Sequence, residues 1–210
     1  LHGKETLGLA ENSFYPVYDT DGNVTYYYYN NSGVSVTTLS GAGLNTVGET
    51  AKLRFDNAVP VEIYNALAAT YGAENLKVGV LVMETSKVPS GTLNRSTLDR
   101  AGVSYTDVVG RALYRTSDFA VIGCSMEVDA ANYGTSYTAV GYLEVTLASG
   151  AVKTFWSSTI ATGNVRNVAQ KSLDDYQDFQ DETYRYDLGM GYYFSRYSDA
   201  ERETLQRFCA

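Results

Sequence analysis

Histidine and tryptophan are nearly absent from this 210-residue chain, which has one of each, His2 and Trp156. Cysteine and proline are also rare, with two and three copies. A serine–histidine mechanism would depend on His2 close to the terminus, and two cysteines with one distant histidine do not form a zinc site. The sequence also lacks a Gly-x-Ser-x-Gly elbow, a phosphate-binding loop and paired histidines. We therefore expect no catalysis and no cofactor, although 24 acidic residues leave a glycosidase carboxylate pair and a structural calcium ion open.

Positive charge is also scarce. There are 16 basic and 24 acidic residues, which give a net charge of −8. Phosphate recognition needs clustered Lys and Arg, so nucleic acid is an unexpected partner. The absence of a basic run argues in the same way against an anionic membrane surface.

Long hydrophobic runs are missing as well. The longest apolar run, residues 78–83, is far too short to span a bilayer, so no membrane insertion is expected. The chain begins at Leu1 rather than Met, and we expect it to be a processed, monomeric module of a larger extracellular or cell-surface protein. Cys124 and Cys209 either pair as a disulfide or remain two buried thiols.

Tyrosine is the residue that is abundant, with 19 copies. Four of them are consecutive at residues 26–29, where alternation along a strand would direct two inward and two outward. A tyrosine presents an apolar face and a hydroxyl, which match the C–H face and hydroxyl rim of a sugar ring. The alternative is that many of these rings simply pack a β-sheet, where aromatic residues are favoured.

Local patterns predict a mainly β fold that ends in helices. The turn-forming residues 19–23 predict a hairpin turn between strands 14–18 and 24–29. Their spacing does not fit an EF-hand calcium loop. Pro60 and Gly72 predict the start and end of one helix, Asn164 predicts the cap of another, and Ser198 with Glu201 predicts a capping box. Further strands are predicted at 34–39, 51–55, 76–83, 119–128, 137–147 and 152–156, a short helix at 96–100 and a loop at 40–48.

We predict an antiparallel β-sandwich followed by a C-terminal cluster of α-helices, in a single domain of residues 1–210. Residues 1–160 would form the sandwich with a tyrosine-rich N-terminal extension. Residues 161–210 would form the appended helices with a tyrosine-rich connection.

The middle of the chain resembles a β-sandwich module that recurs in secreted and cell-surface proteins of anaerobic gut bacteria. The motifs that carry the resemblance are Leu53-Arg54-Phe55, Tyr71-Gly72, the stretches 78–81 and 137–143, Tyr133, Val165-Arg166, Val168-Ala169, Leu205 and Phe208. The relatives most similar in character are starch-binding domains of the amylosome's starch adherence system. This resemblance implies that an α-glucan lies between the sandwich and the helices, and it supplies no motif-matched binding residues.

Two departures from that module indicate where binding residues lie. About fifty residues precede the first shared strand, and the connection between the last two helices is extended to residues 174–197. Function commonly lies in loops added to a rigid scaffold. Together with Trp156, either a core anchor or a stacking residue, the candidate ligand-binding residues are Tyr176, Asp178, Asp181, Tyr184, Arg185, Tyr186, Asp187, Tyr192 and Tyr193.

Arg54 lies between Leu53 and Phe55, so it should face away from both, and we predict that it pairs with a carboxylate to hold the sheet to the helical end. The leading functional hypothesis is non-catalytic binding of starch, an α-1,4-glucan, in a cleft between sandwich and helices. The alternative hypotheses are a protein-interaction or adhesin module and a structural spacer.

Overall fold

The computed structural model describes residues 13–18, 20–30, 33–45, 48–180 and 197–210. The strands are β1 (Ser13–Tyr18), β2 (Val24–Asn30), β3 (Thr37–Thr38), β4 (Gly43–Asn45), β5 (Ala51–Pro60), β6 (Leu76–Glu84), β7 (Thr106–Val109), β8 (Ala112–Arg115), β9 (Phe119–Val128), β10 (Tyr137–Thr146) and β11 (Val152–Gly163). The helices within the described residues are α1 (Val61–Tyr71), α2 (Arg95–Ala101), α3 (Val165–Gln180) and α4 (Asp199–Cys209).

The strands form two larger sheets and one hairpin. A four-stranded sheet has the order β11-β10-β6-β7, and a five-stranded sheet has the order β3-β5-β9-β8 with β4 also paired to β5. All of these pairings are antiparallel. The prediction of a mainly antiparallel β fold that also contains helices is therefore confirmed.

The predicted hairpin is present as β1 and β2. Its register runs from Ser13 opposite Asn30 to Tyr18 opposite Val24, and Gly22 in the turn has a φ of 84°. That backbone conformation favours glycine, which explains why the local turn signal was reliable. The side chains of the four consecutive tyrosines, and with them the prediction of two outward rings, lie outside the described part of the structure.

The helix boundaries agree with the local signals. The helix α1 follows Pro60 directly, ends at Tyr71 and is capped by Gly72, and α2 covers the predicted short helix. The strands agree less well. The predicted loop at 40–48 contains β4, the strand predicted at 34–39 shrinks to β3, β5 and β11 extend beyond their predicted ends, and β7 and β8 were not predicted.

Buried side chains of the two larger sheets belong to common hydrophobic clusters. The first cluster contains α1 and the second contains α3 and α4, each together with residues of both sheets. The third cluster lies on the other face of the four-stranded sheet, where α2 packs. Two neighbouring residues of β10 show this: Leu143 belongs to the first cluster and Tyr142 to the third, and adjacent residues of a strand point to opposite faces. No helix among the described residues is both long and apolar enough to cross a bilayer.

A buried polar network holds β3 against β10 and β11. The register of β10 and β11 shifts opposite Gly141, and the Gly141 amide instead donates to Thr38 Oγ1 at 2.8 Å. The Thr38 amide donates to Ser157 Oγ at 2.8 Å, and Thr159 Oγ1 donates to the Thr38 carbonyl at 2.8 Å. Since buried polar groups are costly unless paired, these bonds fix β3 and the segment that follows it.

Candidate functional site

Most of the candidate ligand-binding residues belong to the stretch between Asp175 and Tyr197. Their side chains lie outside the described residues, although the backbone of the first two belongs to α3: Tyr176, Asp178, Asp181, Tyr184, Arg185, Tyr186, Asp187, Tyr192 and Tyr193. Both ends of this stretch are nevertheless informative, because Asp175 before it and Tyr197 after it line the same groove.

The groove lies between the segment that follows β3, the outward side of β5 and one side of α3. Its volume is about 690 Å³, within the range of small-ligand sites. Its lining residues are Leu39, Ser40, Gly41, Ala42, Gly43, Leu44, Arg54, Asp56, Ser136, Thr162, Gly163, Asn164, Asn167, Val168, Lys171, Ser172, Asp175 and Tyr197.

An ion pair on β5 forms one wall of the groove. Leu53 and Phe55 are fully buried, so alternation along the strand directs Arg54 outward, as predicted. Arg54 Nε lies 3.1 Å from Asp56 Oδ1. The carboxylate partner is therefore two residues along the same strand, and the prediction that this pair joins the sheet to the helical end is not borne out.

Glycines on both neighbouring strands let this ion pair lie flat on the sheet. Gly43 of β4 is paired with Arg54, and a Cβ there would lie 3.2 Å from Arg54 Nη2. Gly123 of β9 is paired with Asp56, and a Cβ there would lie 3.1 Å from both Asp56 Oδ1 and Arg54 Cδ. A larger residue at either position would push the pair away from the sheet.

The opposite wall is the first half of α3. Asn164 Oδ1 accepts the Asn167 amide at 2.7 Å, which fixes the start of the helix directly after β11. Lys171 Nζ donates to both oxygens of Asp175 at 2.8 Å, one helical turn apart. Tyr197 packs against the second cluster and is the aromatic member of the lining within the described residues.

The charges in the groove balance. Its lining contains two cations, Arg54 and Lys171, and two carboxylates, Asp56 and Asp175, and each cation has a carboxylate partner. The remaining polar groups are hydroxyls and amides. Such a surface offers both hydrogen-bond donors and hydrogen-bond acceptors and carries no net charge, so it suits a neutral ligand that is rich in hydroxyls.

Trp156 lies away from the groove. It is half-buried against the third cluster, with its ring centroid 5.5 Å from that of Tyr142 and the Arg95 guanidinium 6.0 Å away. Of the two roles considered for this residue, its contacts are those of a core anchor. The reason is the register of β11, which turns Trp156 toward α2 while Thr162 and Gly163 at the end of the strand line the groove.

A charged network covers the same face of the four-stranded sheet. Tyr142 donates to Asp107 Oδ1 at 2.5 Å, and Arg95 and Lys77 both pair with Asp107 and Glu144. Burial raises the pKa of Tyr142 well above its ordinary value, and the bond to Asp107 raises it further, so the phenol stays protonated. Each of these side chains has a partner within the network, so we assign the network a structural role.

No metal-binding arrangement of three His, Cys, Asp or Glu side chains occurs in the part of the chain that the structure describes. Both cysteines are free, so the disulfide alternative is excluded by the structure. Cys124 is buried in the second cluster, and Cys209 is half-buried at the end of α4.

Comparison with known proteins assigns no family to the chain. No protein-family model matches it, and no curated protein matches it. The chemistry of the groove is therefore the main basis for a functional proposal.

Proposed function

We propose that this chain is a non-catalytic carbohydrate-binding domain of an extracellular bacterial protein, and that its ligand is starch or another α-1,4-glucan. In this proposal the two larger sheets are the layers of a β-sandwich, and α3 and α4 are the helices appended to it. The observation that carries the proposal is the groove between β5 and α3, with its balanced ion pairs and its tyrosine.

The geometry favours a glycan over a charged ligand. Arg54 with Asp56, and Lys171 with Asp175, place a donor and an acceptor side by side on each wall. Adjacent hydroxyls of a sugar can donate to the carboxylate and accept from the cation. Hydrogen bonds to charged groups contribute about 1.5–3 kcal/mol each, and a few of them give the ~8 kcal/mol of micromolar binding.

The tyrosine-rich segment supports the same location. It is bracketed by Asp175 and Tyr197, which both line the groove. The candidate rings at positions 184, 186, 192 and 193 therefore belong to a stretch of chain that starts from this site and returns to it. The choice of an α-glucan, and of an extracellular location, rests on the resemblance to starch-binding domains.

Affinity electrophoresis tests the proposal. We expect the wild-type domain to be retarded in a native gel that contains soluble starch and to migrate freely in gels with xylan or without polysaccharide. Arg54→Ala should weaken retardation about tenfold or more, since it removes one charged hydrogen-bonding group.

The matched control is Lys52→Ala. Lys52 lies on the same outward face of β5, pairs with Glu127 and does not line the groove, so its loss should leave retardation unchanged. Equal migration of the wild-type domain in all three gels would reject glycan binding and favour the protein-interaction or spacer alternatives. Equal retardation of Arg54→Ala and wild type would reject the groove as the site.

A further inference from the structure

The outward face of the five-stranded sheet continues from the groove. Residues paired across antiparallel strands point to the same face, so the register defines rows that cross the sheet. One row contains Asp56 and Gly123, and the next contains Val121 and Tyr114. The ion pair that forms a wall of the groove is therefore continuous with this sheet face.

Gly123, which is paired with Asp56, has no side chain that projects from the sheet. The glycine accommodates the Asp56 carboxylate and the Arg54 stem, and no Cβ rises between them and the next strand, β8. An extended molecule that leaves the groove over Asp56 would pass over the Asp56 carboxylate and the Arg54 stem, which lie flat against Gly123. This strip leads toward β8.

Tyr114 lies on β8 in the neighbouring row, diagonally across from Gly123. Tyr114 is 64% exposed, which is unusual for a large aromatic residue on a sheet face. It contributes no buried area to the three clusters. Its neighbour Leu113 is paired with the buried Ile122, so Leu113 points to the opposite face of the sheet, where it is 43% exposed, and Tyr114 points outward.

We propose that the bound glycan extends from the groove across Gly123 and stacks on Tyr114, so that the domain holds a stretch of several sugar units. This inference rests on the proposed function of the groove. Tyr114 lies two strands beyond β5, about 10 Å further across the sheet. The ligand class is therefore a long oligosaccharide or the interior of a polysaccharide chain, and short oligosaccharides fill the groove alone.

Calorimetric titration with maltotriose and maltoheptaose tests the extension. Tyr114→Ala should weaken binding of maltoheptaose about threefold to tenfold, the loss of one aromatic contact, and leave that of maltotriose within about twofold. Tyr114→Phe should restore maltoheptaose binding, because the ring face is retained. Arg54→Ala should weaken binding of both ligands.

Leu113→Ala is the matched control, since it truncates the adjacent, partly exposed residue on the face opposite Tyr114 and should leave both affinities unchanged in a variant that melts cooperatively. Equal maltoheptaose binding by Tyr114→Ala and wild type, with Arg54→Ala weakened, would overturn the extension and leave the groove in place. Equal weakening of both ligands by Tyr114→Ala would also overturn it, because Tyr114 would then belong to the primary site. No binding of either ligand by the wild type would reject the proposed function itself.

Discussion

Single residues decide how closely groups approach each other on both sheet faces. Gly79 lies in the buried strand β6, directly opposite Tyr142, and a Cβ there would collide with the Tyr142 phenol and crowd the Val108 carbonyl. The glycine thus lets the Tyr142 ring cross β6 and reach Asp107 on β7. Glycine in a strand interior usually weakens the strand, so its presence here reflects this close approach.

Gly79→Ala should therefore destabilise the protein by about 1–3 kcal/mol, the typical cost of overpacking, although alanine is intrinsically the better residue in a regular element. The measurement is the free energy of unfolding in urea. Gly134→Ala is the control, because the nearest atom to a Cβ at Gly134 is the end of the flexible Arg166 side chain. A Gly79→Ala variant as stable as the wild type would show that the phenol can move without cost.

Helix caps set the residues at which α3 and α4 begin. In α4, Ser198 Oγ accepts the Glu201 amide at 3.3 Å, and Glu201 Oε2 accepts the Ser198 amide at 2.8 Å. The cap at Asn164 starts α3 immediately after β11, so the helix wall of the groove begins where the strand ends. Both caps were visible in the sequence because an N-cap side chain bonds an amide only two or three residues further along the chain.

Ser198→Ala should reduce the free energy of unfolding by about 1 kcal/mol, because it leaves a helix amide without a partner. Ser198→Asp should retain most of the stability, since an aspartate accepts the same bond and also favours the helix N-terminus. Denaturant unfolding of the three proteins side by side measures the difference. A loss in Ser198→Asp equal to that in Ser198→Ala would contradict a capping role.

At the scale of the whole molecule, stability depends on packed clusters rather than on covalent cross-links. Cys124 and Cys209 are free, and Cys124 is buried in the second cluster, where its Sγ accepts from the Asn57 amide at 3.7 Å and donates to the Ile122 carbonyl at 4.0 Å. Burial raises the pKa of Cys124 to about 12, and it also raises the pKa of Tyr137. These groups keep their protons in the folded state at a pH where the unfolded chain releases them.

Stability should consequently fall in alkali. A cysteine in the unfolded chain loses its proton near pH 9, whereas Cys124 in the folded state holds it to about pH 12, so the unfolded state binds fewer protons across this window. The free energy of unfolding should decrease as pH rises from about 9 to 11, and Cys124→Ala should lessen this decrease. A reducing agent should not change the melting temperature at pH 7, and a clear drop on reduction would contradict the free thiols.

Much of the fold could be predicted because its signals are local. Pro60 and Gly72 bound α1, the turn glycine at position 22 sets the first hairpin, and the alternation of Leu53, Arg54 and Phe55 gives the two faces of β5. The short edge strands β7 and β8 escaped prediction. They are largely exposed, so they lack the hydrophobic alternation that marks a half-buried strand.

The sequence by itself determined the capped helices, the hairpin, the buried strands and the outward direction of Arg54, because each depends on neighbours within one turn or one strand. Only the tertiary structure decided that Arg54 lies flat between Gly43 and Gly123 and faces Lys171 across a groove. Those residues are distant in the chain, and they meet through the register of three strands and the docking of α3. Strand register and helix docking are set by packing throughout the two sheets, which no short window of sequence contains.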